Sequence, residues 1–155
     1  MIKVMFVCHG NICRSPMAEF VFCHMVKERG LSDKIYIASS ATSREEIGNP
    51  VHHGTRRKLQ QVGISCDGKT AVQLTKKDYE MYDYIICMET YNIRNVLRII
   101  GEDKYKKVYR LLDFSTRPRE IADPWYTGNF DETYDDILEG CVGLLEHILR
   151  KHKIY

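Results

Sequence analysis

A chain of 155 residues, 44% hydrophobic and 28% charged, is long enough to bury a core and has the balance of a soluble globular protein, expected to form a single domain over residues 1–155. A net charge of +2, with no basic run longer than Lys104 to Lys107, argues against nucleic acid as a partner, and no apolar run approaches the ~18 residues of a membrane span. Six cysteines (Cys8, Cys13, Cys23, Cys66, Cys87, Cys141) follow no charged leader with an apolar stretch, so they read as free thiols in a reducing, cytoplasmic compartment, with Cys23, Cys87 and Cys141 in apolar core patterns.

Strand and helix signals alternate along the chain. Residues 2–7 (IKVMFV) form a short apolar, β-branched run, the mark of a buried strand. From Pro16 to Arg29 apolar residues at 17, 18, 21, 22, 25 and 26 share one helical face, with Ser15 as N-cap, Pro16 in the first turn and Gly30 at the end. A second strand is expected at Ile35 to Ala38, a short helix at Thr55 to Val62, a third strand at Tyr82 to Met88, a helix at Tyr91 to Ile100 and a fourth strand at Val108 to Leu112. An irregular stretch containing Pro118 and Pro124 follows, from Asp113 to Phe130. The last helix starts at Asp131: positions 134, 137, 138, 141, 144, 145, 148 and 149 make an apolar stripe, acidic at its start and basic at its end, as the helix dipole prefers. This order predicts an α/β fold, a four-stranded parallel sheet with helices on both faces, and a ligand site at the carboxyl ends of the strands.

The loop after the first strand carries the chemistry: Cys8, His9, Gly10, Asn11, Ile12, Cys13, Arg14 and Ser15, then Pro16. A tight loop that runs into a helix N-terminus gathers backbone N–H groups into a concavity suited to a phosphate dianion. Gly10 supplies backbone freedom, and Arg14 a planar cation that can hold two phosphate oxygens. Cys8 in that positive field is the expected thiolate nucleophile, and Ser15 the group that donates a hydrogen bond to it. The spacing alone is weak, since Cys23 and Arg29 repeat it inside the first helix. Only the first pair has the strand, the glycine, the serine and the helix opening around it. His52 and His53, adjacent in a polar stretch, read as exposed.

Residues 7–16 (VCHGNICRSP) resemble the signature of the low-molecular-weight protein tyrosine phosphatases, and Ser39 to Ser43, Gly48 to Pro50, Leu74 to Asp78, Tyr82 to Met88 and Ala122 to Tyr126 all fall where that family has counterparts. The resemblance implies hydrolysis of phosphotyrosine in proteins or peptides through a cysteinyl-phosphate on Cys8, with inorganic phosphate as product and neither metal nor cofactor. It implies that residues 9–15 bind the phosphate and that Asp123, in the DPWY segment, first gives a proton to the leaving phenol and then activates water. Asn11, Ser15 and Ser39 are the implied supporting network; Ile12, Glu45, Trp125 and Tyr126 are the expected walls and rim of the cleft. Cys13 is either a redox partner that traps an oxidised Cys8 or a small buried filler, and both readings stay open.

His9 and Glu45 depart from the family pattern, which points to a less apolar rim. A phosphoarginine phosphatase on the same loop is the nearest alternative; the bulky, apolar Ile12 argues against it. An arsenate reductase would need two further cysteines close together downstream, where Cys87 stands alone. A structural zinc site on Cys8 and Cys13 lacks a second ligand pair. A phosphotyrosine-binding module without turnover would be marked by loss of Cys8, Arg14 or Asp123, and all three are present.

Overall fold

The computed structural model describes residues 1–154. Four strands, β1 (Ile2–Cys8), β2 (Ile35–Ala41), β3 (Tyr84–Cys87) and β4 (Val108–Arg110), form one parallel sheet in the order β2-β1-β3-β4. Side chains alternate across a strand, and β1 shows what that does. Val4, Phe6 and Cys8 join a large core with Met17, Phe22, Ile137 and Leu144, while Met5 and Val7 join a smaller one with Val96 and Ile100 on the other face. In β3 the same alternation sends Tyr84 and Ile86 to the large core and Ile85 and Cys87 to the small one. Helices α1 (Arg14–Glu28), α2 (His53–Gln61) and α6 (Phe130–Lys151) supply the large core. Helices α3 (Lys76–Met81) and α4 (Thr90–Ile100) cover the opposite face. A single 3-10 turn (Leu111–Phe114) and a short helix α5 (Pro124–Thr127) link β4 to α6.

Because β2 and β3 flank β1 on opposite sides, the chain reverses direction across the sheet at the carboxyl end of β1. That is the switch point where open α/β sheets hold their ligands.

Several sequence expectations shift. Leu111 and Leu112 do not extend β4; both are fully buried in a 3-10 turn that packs into a notch of α6, where a Cβ on Gly140 would lie 2.4 Å from Leu111 Cγ and one on Gly143 would lie 2.1 Å from the Phe114 carbonyl oxygen. Helix α3, closed by a capping box between Thr75 and Asp78, and helix α5 are too short to show a periodic stripe. Strand β2 runs on to Ala41, and β3 is the shorter segment Tyr84–Cys87. Cys23 is only partly covered, whereas Cys87 and Cys141 lie in the core as expected.

Candidate active site

The loop between β1 and α1 wraps around the Cys8 sulfur. Ser15 Oγ lies 3.0 Å from Cys8 Sγ, and the Ser15 amide points to the same sulfur at 3.4 Å. Ser15 therefore is not the N-cap expected of it: α1 opens at Arg14, with Cys13 in the cap position, and the serine hydroxyl is turned inward to the sulfur. The amides of Gly10, Asn11, Ile12, Cys13 and Arg14 meet no acceptor among the described residues, so the loop presents a run of unused donors beside the α1 N-terminus.

The left-handed turn in this loop falls on Asn11 (φ 58°), not on Gly10. An asparagine tolerates that conformation when its side chain is tied down. Here Asn11 Nδ2 donates to Ser15 Oγ at 2.7 Å and to Ser39 Oγ at 3.0 Å, while its Oδ1 accepts from the Val72 amide at 3.1 Å. Ser39 Oγ in turn donates to Glu19 Oε1 at 2.5 Å, and Lys69 Nζ, close to Glu19, donates to the Ser39 carbonyl at 2.8 Å. Ser39 gives its hydrogen to Glu19 and so accepts from Asn11; Ser15 also accepts from Asn11, which leaves its own hydrogen for Cys8 Sγ at 3.0 Å or for the Ser40 carbonyl at 3.5 Å. Burial raises Glu19 above the usual carboxylate value and lowers Lys69, while the two charges oppose those shifts for each other. Asn11, Ser15 and Ser39 are thus brought together as expected; Glu19 and Lys69 complete the network and were not foreseen.

Arg14 is only 2% exposed. A guanidinium so deep must be paired, and its partners are Glu89, which contacts Nη1, the Ile121 carbonyl at 2.8 Å, and Asp123 Oδ2 at 3.4 Å from Nη2. Burial disfavours its charge, but the negative charges at Cys8, Asp123 and Glu89 outweigh that and hold it above the ordinary arginine value. Glu89 is the notable omission of the sequence reading: it follows Met88 in an apolar strand signal, and only the fold turns it toward Arg14.

Asp123 caps α5, its Oδ1 accepting from the Trp125 amide at 3.0 Å, and leaves Oδ2 facing Arg14. One cleft is lined by Cys8, His9, Gly10, Ile12, Cys13, Arg14, Glu45, Glu46, Asp123, Trp125 and Tyr126. Trp125 and Tyr126 stand largely exposed at its mouth, as walls would. Glu45 reaches His9 Nε2 at 3.0 Å, and the His9 ring stacks on Tyr91 at 6.2 Å, so polar groups occupy this edge of the rim. Cys13 packs with Ile12, Ala71 and Phe130; burial first, then the charges at Cys8 and Asp123, push its thiol up to about 12. His52 contradicts the expectation of exposure: it is half buried against Trp125 and Phe130. Among the described residues no cluster of three or more His, Cys, Asp or Glu side chains could hold a metal ion, and no helix is long and apolar enough to cross a membrane.

The sequence model of the family described as low molecular weight phosphotyrosine protein phosphatase matches residues 3–154. The low molecular weight protein-tyrosine-phosphatase YfkJ of Bacillus subtilis is 41% identical over 156 residues, 99% of this chain and 100% of its own length. Its crystal structure superposes with a TM-score of 0.94 over 97% of this chain and 96% of that one. The low molecular weight protein tyrosine phosphatase of Streptococcus pyogenes is 41% identical, with a TM-score of 0.88 over 99% of this chain and 97% of that one. A drosophila arginine phosphatase, 28% identical, superposes with a TM-score of 0.86 over 94% of this chain and 97% of that one. A parallel sheet of this order, a phosphate-type loop at its switch point and matches that span nearly the whole sequence lead to one assignment: the chain belongs to the low molecular weight protein tyrosine phosphatase family of enzymes.

Proposed function

We propose that the protein hydrolyses phosphotyrosine in protein or peptide substrates through a phosphocysteine intermediate on Cys8. The observation that carries this reading is the placement of Cys8 Sγ, the Arg14 guanidinium and the Asp123 carboxylate around one cleft. The phosphate dianion takes the loop amides and the Arg14 fork, displacing the long Asp123 contact to Arg14. The deprotonated Sγ attacks phosphorus in line; the S–P bond forms as the P–O bond to the phenol breaks, and Asp123 transfers its proton to the departing oxygen. Water then loses a proton to Asp123 and attacks phosphorus, the S–P bond breaks, and the sulfur leaves with its electron pair, which the Ser15 hydroxyl at 3.0 Å stabilises. Glu89 and the Ile121 carbonyl hold the guanidinium in plane for the transferring oxygens.

Ile12, Trp125 and Tyr126 favour an aromatic phosphoester over a phosphoguanidine, since they offer apolar and aromatic surface around the ring. The test is phosphate release from a phosphotyrosine peptide in the presence of a chelator, for wild type and Cys8→Ser, with a phosphoarginine peptide alongside. Release from phosphotyrosine that is lost in Cys8→Ser by at least about 10³-fold is the expected result. A preference for phosphoarginine overturns the substrate assignment, and binding of the phosphotyrosine peptide without turnover overturns the catalytic one.

A further inference from the structure

His52 sits in a seam between three parts of the site. Its backbone amide donates to the Ile12 carbonyl of the phosphate loop at 2.9 Å. Its Nδ1 accepts from the Gly54 amide at 3.0 Å and so caps α2. Its ring lies nearly parallel to Phe130, at 5.4 Å and 13°, and meets Trp125 edge-on at 5.5 Å and 73°. The seam is tight: a Cβ on Gly54 would lie 2.4 Å from the Phe130 ring and would force that ring to shift from its place against His52. Trp125, by contrast, is 57% exposed; its amide donates to Asp123 Oδ1 at 3.0 Å, and the His52 ring lies against its side chain at the cleft mouth.

We infer that His52 is a positioning residue for substrate recognition: its ring props Trp125 upright as the wall against which the phosphorylated ring of the substrate lies. The inference rests on the phosphotyrosine reading above. The cap bond requires an unprotonated Nδ1, because a protonated one has no lone pair to accept the Gly54 hydrogen. The surroundings agree, as burial and then His53 lower the His52 value, with Glu46 opposing. A neutral imidazole also stacks on Phe130 and Trp125 without desolvating a charge.

Two substitutions separate the cap from the ring. His52→Asn keeps a short side-chain acceptor for the Gly54 amide and removes the aromatic prop; His52→Phe keeps the prop and removes the acceptor. For the phosphotyrosine peptide, His52→Asn should raise KM roughly three- to tenfold with kcat nearly unchanged, and His52→Phe should keep KM near the wild-type value. Inhibition by inorganic phosphate, which reads the phosphate loop alone, should be the same in all three proteins. In a Trp125→Ala background His52→Asn should add nothing, since the group it supports is gone. An unchanged KM in His52→Asn, additive effects in the double variant, or a parallel weakening of phosphate inhibition overturns the inference. Loss of turnover in the wild type itself would instead overturn the underlying reading of the substrate. Should His52→Asn fail to fold, as judged by circular dichroism, His52→Phe decides: a rise in its KM places the role in the cap and sinks the ring.

Discussion

The carboxyl ends of β1 and β3 are built from the same parts, and only one of them makes a site. Each strand ends on a cysteine, Cys8 or Cys87; each is followed by a turn, a buried asparagine and a helix. After β3 the turn is Met88 and Glu89 alone, and Asn92 folds back so that its Oδ1 accepts both of their amides, at 3.0 and 3.1 Å. The backbone donors are consumed and the end is sealed. After β1 the turn is five residues long, and Asn11 points away from the loop amides, toward Ser15, Ser39 and Val72. The same side chain that closes one turn holds the other open, with its donors facing the cleft. Burial pushes the Cys87 thiol far up, while Cys8 lies among donors. What distinguishes the end that opens on the cleft from the end that is sealed is where the asparagine spends its hydrogen bonds.

The comparison can be broken at several points. Arg14→Lys carries the largest expected effect, because an ammonium cannot offer two parallel donors and would leave Glu89 or Asp123 short of a partner; kcat/KM should fall about 10²–10³-fold in steady-state assays of phosphate release. Retention of activity within tenfold would show that the fork is not needed. Asn11→Ala comes next. It removes three hydrogen bonds and leaves an alanine at φ 58°, so activity should drop about 10–100-fold as the loop loses its register. Asn92→Ala should do the reverse: one buried and one part-buried amide lose their acceptor, denaturant unfolding should report about 1–3 kcal/mol less stability, and kcat/KM should stay within a few fold. If the two asparagine variants behaved alike, the distinction between the turns would fail.

The mildest effect is one of pH. Burial raises Cys13 and Cys23 from about 9.0 to about 12, and Tyr79, Tyr82 and Tyr84 from about 10.0 to about 12. Groups whose folded values lie above their unfolded ones contribute stability that is complete below about pH 9 and is lost as the pH climbs through 12. Melting temperature should hold level up to about pH 9 and decline from there as the pH rises toward 12. At pH 8, below that window, alkylation followed by mass spectrometry should find Cys13 unlabelled.

The alternating strands, the parallel sheet and the phosphate loop were legible because each is written in contiguous residues: an apolar run, a periodic stripe, and a short segment whose glycine, arginine and serine stand at telling distances. Asp123 was legible only through resemblance, since an Asp-Pro pair alone signals no more than a turn. Glu19, Lys69 and Glu89 were not legible, because each acts through a partner 20 to 75 residues away and none carries a local pattern. His52 misled for a related reason. Its sequence neighbours are polar, but it is covered by Trp125 and Phe130, which arrive from the far end of the chain. Within the loop, propensity points to Gly10 for backbone freedom and to Ser15 for the cap, whereas Asn11 takes the left-handed angle and Ser15 turns its hydroxyl to sulfur. Generic propensities lose to specific hydrogen bonds at such a place.

Helix α6 holds the segment that carries Asp123 at both ends and in the middle. The 3-10 turn before it sits in the Gly140–Gly143 notch; Ser115 donates to Glu139 at 2.5 Å; Arg119 binds Asp136 at 2.7 Å and Glu139 at 2.8 Å; the Ala122 carbonyl accepts from Thr133 at 3.3 Å; and Asn129 caps the helix itself. Asp123 is therefore mounted on a bracket braced along its length. Ordering this stretch costs conformational entropy once, when the chain folds, and not again with every ligand that arrives.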